Sequence, residues 1–187
     1  MTQQISGMNF EASVLPHLDA AYNLARWLTR SEQDAQDIVQ EAYLRAFRFF
    51  PAFRGGDARS WIMKIVRNTC YTWIHENRPL QDSMEFDENL IPPDRRALNP
   101  EEVVLQNDAG TLVRRALEEL PTHFREVLVL RELDGMSYKE IADVTGMAVG
   151  TVMSSLSRAR GRFRQALKDL MSGGGAQTSP QTLTVKA

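Results

Sequence analysis

Apolar positions recur at intervals of three and four residues along most of the chain, which is the period of an amphipathic α-helix. The first stripe comprises Val14, Leu18, Ala21, Ala25 and Leu28, widened by Leu15 and Tyr22. A second helix is predicted to begin after Ser31, which stands three residues before Asp34 as in a capping box. Its apolar face comprises Ala35, Ile38, Val39, Ala42, Ala46, Phe49 and Phe50. No segment alternates like a β-strand, so the pattern predicts an all-α fold.

Turn-forming residues divide the rest of the chain into further helices. Pro51 and Gly55-Gly56 end the second helix, and a third is predicted over about 57–75. Its apolar face comprises Trp61, Ile62, Ile65, Val66 and Trp73. Helices are also predicted over about 99–120, 122–133, 137–145 and 148–171. Ser137 with Glu140 forms a capping box, and Gly146 provides the turn before the last helix.

Two small helical domains, residues 8–78 and 99–171, are therefore expected. Residues 79–98 contain Pro79, Pro92, Pro93 and many acids without a helical period, which predicts an acidic flexible linker. The glycine-rich tail, residues 172–187, is predicted to be disordered.

Charge is almost balanced over the 187 residues, with 22 basic and 24 acidic side chains, but it is segregated. Residues 31–41 and 81–102 are mainly acidic, whereas 43–78 and 146–170 are mainly basic. Two basic blocks suggest two surfaces that meet a polyanion, although solvated helix faces would show the same pattern.

A single cysteine, Cys70, excludes an internal disulfide and a cysteine-rich zinc site. No signal peptide and no apolar run long enough to span a membrane are evident, so a cytoplasmic protein without membrane insertion is expected. The three histidines are scattered and no phosphate-binding loop is present, so no enzyme activity, metal or cofactor is predicted.

The strongest local pattern is the short helix, glycine turn and arginine-rich helix between Ser137 and Arg164. This layout is typical of a helix-turn-helix, in which the second helix reads DNA bases. The residues expected to face outward are Met153, Ser154, Ser157, Arg158, Arg160, Arg162 and Arg164. A plain helical hairpin with a basic face is the alternative interpretation.

Two weaker patterns lie in the first half. Asp34, Asp37 and Glu41 share one helical stripe with Leu44 and Phe47 nearby, which suggests a docking face for a protein or an ordinary acidic face. In the following segment aromatic residues alternate with arginines, as single-stranded nucleic acid requires. Trp61 and at least two of the phenylalanines are instead expected to lie in the core.

Three motifs together resemble the bacterial extracytoplasmic-function (ECF) sigma factors. Asp34–Ala46 resembles their polymerase-binding helix, and Phe53-Arg54-Gly55-Gly56 with the segments 61–62 and 65–68 resembles their promoter-melting region. The segments 120–121, 125–128, 137–142, 149–152 and 157–160 resemble their C-terminal DNA-binding domain.

This resemblance implies an initiation factor with core RNA polymerase, promoter DNA and an anti-sigma factor as partners. The residues implied for polymerase binding are Asp34, Asp37, Gln40, Glu41 and Leu44. Those implied for the −10 element are Phe53, Arg54, Arg59, Lys64, Arg67 and Asn68. Those implied for the −35 element are Thr151, Met153, Ser154, Ser157, Arg158, Arg160 and Arg162.

Two other classes of function remain open at this point. A sigma-like decoy would titrate an anti-sigma factor without touching DNA, but it would not need the arginines of the last helix. A dimeric repressor would use only the helix-turn-helix and would leave the first half unexplained.

Many relatives also carry Lys or Arg in place of Met153, so the −35 base preference cannot be transferred.

Overall fold

The structure, a computed structural model, describes residues 9–77 and 109–173. The first range contains α1 (Phe10–Val14), α2 (Leu18–Thr29), α3 (Glu32–Phe49) and α4 (Ala58–Asn77). The second contains α5 (Ala109–Glu118), α6 (Thr122–Leu128), α7 (Tyr138–Thr145) and α8 (Val149–Gly173). Neither range contains a β-strand, which confirms the all-α prediction. The predicted linker, the helix start at Asn99 and residues 174–187 lie outside the described residues.

The first predicted helix is interrupted. Pro16 lies in a short 3₁₀ turn, Leu15–His17, that separates α1 from α2. The turn changes the helical phase, so Leu15 and Leu18 are exposed and their predicted place in the core is wrong. Leu24 is buried instead, together with Val14 and the later members of the stripe.

Helix α3 begins where the sequence predicts, because the Ser31 hydroxyl accepts a hydrogen bond from the Asp34 backbone N–H at 3.3 Å. The predicted apolar face from Ala35 to Ala46 is buried. Phe49 is exposed, contrary to prediction, because α3 ends there and the chain turns into a 3₁₀ segment. Phe50 in that segment packs against the core.

A glycine turn positions α4. Gly55 and Gly56 have backbone φ angles of 89° and 105°, which residues other than glycine adopt only with strain. Asp57 then caps the helix, since its Oδ1 accepts a hydrogen bond from the Arg59 backbone N–H at 3.0 Å. Ile62 and Val66 are buried, as predicted, whereas the two tryptophans of the stripe, Trp61 and Trp73, are only half-buried.

The helix-turn-helix predicted in the second half is present. Helix α6 runs into a π-helical turn, Val129–Leu133, and α7 starts at the predicted capping box of Ser137 and Glu140. Gly146 ends α7 in the left-handed conformation. Val149 is exposed, because it is the first residue of α8 and precedes the buried Val152 and Leu156.

The two halves pack against each other. Helix α4 lies on α7 and α2 lies on α6, and buried residues of both halves form one hydrophobic cluster. No helix within the two described ranges combines the length and the apolar character needed to cross a membrane.

Candidate functional site

The outer face of α3 combines exposed carboxylates with exposed apolar side chains. Asp37, Gln40 and Glu41 are exposed, whereas Asp34 is half-buried beside its cap. Glu41 forms an ion pair with Arg45 one turn later. Leu44 is 57% exposed, and Phe47 and Phe49 are exposed beyond it. A hollow of about 350 Å³ lies along this face and is lined by Glu41, Leu44, Arg45, Arg48 and Phe49.

Exposed leucine and phenylalanine next to carboxylates are typical of a protein-binding surface, because the apolar contacts contribute affinity and the charges steer a basic partner. The exposure of these side chains on α3 is therefore consistent with the docking face that helical spacing predicted. Exposure of Phe49 enlarges this surface beyond what the sequence pattern indicated.

An aromatic cluster holds the loop in front of α4. The Phe53 ring lies 4.8 Å from the Trp61 ring and 5.8 Å from the Phe50 ring, measured between centroids. Phe10 of α1 meets the Phe50 ring edge-on at 5.3 Å. Trp61, Phe50 and Phe53 are half-buried, and Trp61 and Phe50 pack against the core. The next residue, Arg54, is exposed.

The predicted −10 residues on α4 fall into two groups. Lys64 and Asn68 are exposed. Arg59 and Arg67 instead contact the second half of the chain. The guanidinium of Arg59 donates to the backbone carbonyl of Asp134, and Nε of Arg67 donates to Oε1 of Glu126 at 2.6 Å.

Glu126, the buried partner of Arg67, was not found by the sequence analysis. It lies on α6, its side chain is 1% exposed, and its Oε2 accepts a hydrogen bond from the Tyr71 hydroxyl at 3.0 Å. Burial raises the pKa of the Glu126 carboxyl, and the hydrogen bonds from Arg67 and Tyr71 oppose that rise. The sequence contained one signal for this contact, because Glu126 directly precedes the apolar run Val127–Leu130 and a buried acid needs a partner.

Helix α8 presents the predicted −35 residues to solvent. Met153 is 52% exposed, and the other exposed members are Thr151, Ser154, Ser157, Arg158, Arg160 and Arg162. The opposite face, with Val152, Leu156 and Ala159, is buried. Arg160 forms an ion pair with Glu132 at 2.6 Å, and the Arg162 guanidinium lies 5.1 Å from the Phe124 ring centroid. The polar and apolar side chains near the start of α8 thus remain accessible to a groove of DNA.

Cys70 lies in the core, as predicted. Burial raises the pKa of its thiol to about 12, so the reactive thiolate is scarce near neutral pH. The described residues contain no cluster of three or more side chains that could hold a metal ion.

Comparison with known proteins gives the same family for both halves. The family model for Sigma-70 region 2 matches residues 14–79, and the model for Sigma-70 region 4 matches residues 111–163.

Two curated relatives and one solved structure illustrate the similarity. The ECF RNA polymerase sigma-E factor of Escherichia coli is 37% identical over 134 residues, covering 68% of this chain and 70% of the relative. The ECF RNA polymerase sigma factor SigE of Mycolicibacterium smegmatis is 30% identical over 85% of this chain, which spans only 62% of that relative's length. The sigma factor RpoE of Bartonella quintana, solved in complex with the anti-sigma factor NepR, is similar with a TM-score of 0.63 and 26% identity. That match covers 85% of this chain and 96% of RpoE.

Proposed function

The chain belongs to the ECF family of RNA polymerase sigma factors, and from this membership we propose that it is a transcription initiation factor. Residues 8–78 bind core RNA polymerase and open the −10 element, and residues 99–171 read the −35 element. The observation that carries the proposal is the presence of two exposed faces of different chemistry. One is the acidic and apolar face of α3, and the other is the polar and basic face of α8.

The α3 face is the proposed polymerase-binding site. Asp37, Glu41 and Leu44 stand exposed along the helix, with Asp34 and Gln40 at their flank. Carboxylates steer a basic surface into place, and burial of Leu44 in the complex then contributes affinity. The polymerase carries out the chemistry of RNA synthesis, and the chain itself supplies binding and no catalysis.

The −10 element is proposed to bind between the aromatic loop and α4. Phe53 is half-buried and offers an aromatic side chain for stacking, and the exposed Arg54, Lys64 and Asn68 offer contacts to phosphates and base edges. A flipped base costs a few kcal/mol of lost stacking, which these contacts must offset. Arg59 and Arg67 join this surface only when they leave their contacts with the second half.

The −35 element is proposed to receive α8 in the major groove. Arg158 can contact guanine with two hydrogen bonds, whereas Met153 offers only an apolar contact, which suits a thymine methyl group. Arg160 and Arg162 lie further along the helix and are proposed as phosphate contacts.

An anti-sigma factor is the third proposed partner, and the cytoplasm is the proposed location. RpoE, which this chain resembles over 85% of its length, was solved with such a factor bound. The comparisons give no support to the decoy interpretation, because the regions matched are those of sigma factors themselves.

The test is a titration of the labelled full chain against purified core RNA polymerase, followed by transcription from fragmented genomic DNA. The double variant Asp37→Lys and Glu41→Lys should lose polymerase binding and keep its helical content. Glu11→Lys with Asp19→Lys is the matched control, because it changes the charge equally at two exposed acids on α1 and α2. Equal binding by the two double variants would refute the docking face, and the absence of new transcripts with bound chain would refute initiation.

A further inference from the structure

Helix α1 lies against the aromatic loop in front of α4. The Phe10 ring meets the Phe47 ring of α3 and the Phe50 ring of the following turn, each edge-on at 5.3 Å between centroids. Phe10 is half-buried and packs against the core. It precedes residues 14–79, which the Sigma-70 region 2 model matches, so the family match assigns it no role. Its position between two rings indicates that it fixes the turn relative to α3.

The backbone of α1 is held in place by contacts other than those of Phe10. Val14 is fully buried, and its carbonyl accepts a hydrogen bond from the Tyr43 hydroxyl of α3 at 3.3 Å. At the other end Asn9 caps the helix, since its side-chain oxygen accepts a hydrogen bond from the Glu11 backbone N–H at 3.0 Å. Because these contacts anchor the helix, α1 presents Phe10 in a fixed place, and truncation of the Phe10 side chain should leave α1 folded.

Phe50 connects Phe10 to the ring that is proposed to stack on a base of the −10 element. The Phe50 and Phe53 rings are stacked with their centroids 5.8 Å apart, and the Phe53 backbone N–H donates to the Phe50 carbonyl at 2.9 Å. The Trp61 ring of α4 lies 6.2 Å from the Phe50 ring and 4.8 Å from the Phe53 ring. Loss of the Phe10 ring would leave space beside Phe50, into which Phe50 and its bonded neighbour Phe53 can shift.

We propose that Phe10 is a positioning residue for promoter opening: through Phe50 it holds the Phe53 ring in the orientation that stacks on a base of the −10 element. This role rests on the proposed function of Phe53. A side chain that is already ordered stacks on a base without the entropic cost of ordering it during binding. Phe10 itself contacts no nucleic acid in this arrangement, and its effect on opening is exerted through the ordering of Phe53.

Three variants of the full chain test this role. Phe10→Ala removes the ring, Phe10→Leu keeps apolar volume without a ring, and Phe10→Tyr keeps the ring. Opening of a promoter found by the transcription test is measured as permanganate reactivity of unpaired thymines, with the chain saturating core RNA polymerase. Phe10→Ala and Phe10→Leu should reduce opening by about three- to tenfold, the factor that an edge-on ring pair contributes, whereas Phe10→Tyr should retain it. The dissociation constant for core polymerase should not change.

Leu15→Ala is the matched control, because it truncates an apolar side chain that is 46% exposed in the turn after α1 and lies outside the aromatic cluster. It should leave opening unchanged. Circular dichroism shows whether each variant is folded, and if Phe10→Ala is not, Phe10→Leu decides. Full opening by the folded variants that lack the ring would overturn the positioning role. A defect seen only below saturation would also overturn it, because Phe10 would then serve polymerase binding.

A double variant separates this role from a general structural one. Phe53→Ala should itself reduce opening, and adding Phe10→Ala to it should cause little further loss, because Phe10 acts through Phe53. Additive losses would overturn the positioning role. If Phe53→Ala opens promoters as the unmodified chain does, the proposed −10 contact of Phe53 is wrong and the role of Phe10 falls with it. If Phe53→Ala is defective while Phe10→Ala behaves like the unmodified chain, only the positioning role is wrong.

Discussion

Replacement of Arg125 by methionine should destabilise the protein strongly, although Arg125 belongs to none of the proposed binding surfaces. Its side chain is fully buried. The guanidinium donates to the carbonyls of Leu117, Trp27 and Leu120 at 3.0, 2.8 and 2.7 Å. The Leu117 carbonyl lies at the end of α5, the Leu120 carbonyl lies in the segment after α5, and the Trp27 carbonyl lies near the end of α2.

The expected loss follows from these three contacts. A hydrogen bond to a charged group contributes about 1.5–3 kcal/mol, so three contribute roughly 4.5–9 kcal/mol. Methionine also avoids the cost of burying a charge, which returns several kcal/mol. We therefore expect a net loss of about 3–5 kcal/mol in the free energy of unfolding, a large share of the 5–15 kcal/mol typical of a domain.

Urea denaturation followed by far-UV circular dichroism measures this loss. Arg164→Met is the matched control, because it is the same substitution at an exposed position of α8, and it should change the free energy of unfolding by less than about 0.5 kcal/mol. A loss below about 1 kcal/mol for Arg125→Met would refute the reasoning. It would mean that the three carbonyls find other donors or do not need this one.

Three further outcomes are expected. Burial raises the pKa of Asp134 in the folded chain above its value in the unfolded chain. The folded chain therefore loses stability as the pH rises from the pKa of the unfolded state through the pKa of the folded state, and Asp134→Asn should remove that loss. The variant should be more stable than the unmodified chain near neutral pH, and denaturation at several pH values that shows no gain would contradict this. With a pKa of about 12, the Cys70 thiol is only about one part in 10⁴ thiolate at pH 8, so it should react with a disulfide reagent only after unfolding; rapid reaction of the native chain would disprove its burial. Arg158→Ala should weaken binding to the −35 element by about 1–3 kcal/mol if it reads a base, and an equal loss on every DNA sequence in a mobility-shift assay would make it a phosphate contact.

Helix boundaries could be predicted from the sequence because local chemistry determines them. The caps at Ser31 and Ser137 and the left-handed Gly146 depend only on residues within one turn. The core was less predictable where the helical phase changes. The turn at Pro16 exposes Leu18, and the end of α3 exposes Phe49, although both residues match the apolar period.

The residues of the candidate surfaces show the same difference between features that depend on nearby residues and features that depend on distant ones. Exposure of Asp37, Glu41 and Met153 follows from helical spacing alone. The contacts of Arg59 and Arg67 could not be predicted, since their partners lie 75 and 59 residues further along the chain. Spacing within one helix contains no information about which distant carboxylate or carbonyl will face it.

The packing of α4 on α7 also has a thermodynamic consequence, because residues 78–108 join the two halves covalently. Covalent connection gives each half an effective concentration near the other, which reaches the millimolar range when the connecting segment is short. An interface too weak to hold separate fragments together at micromolar concentration would still be largely occupied within one chain. Cleavage between residues 78 and 108 would therefore turn association of the halves into a dilution-sensitive reaction.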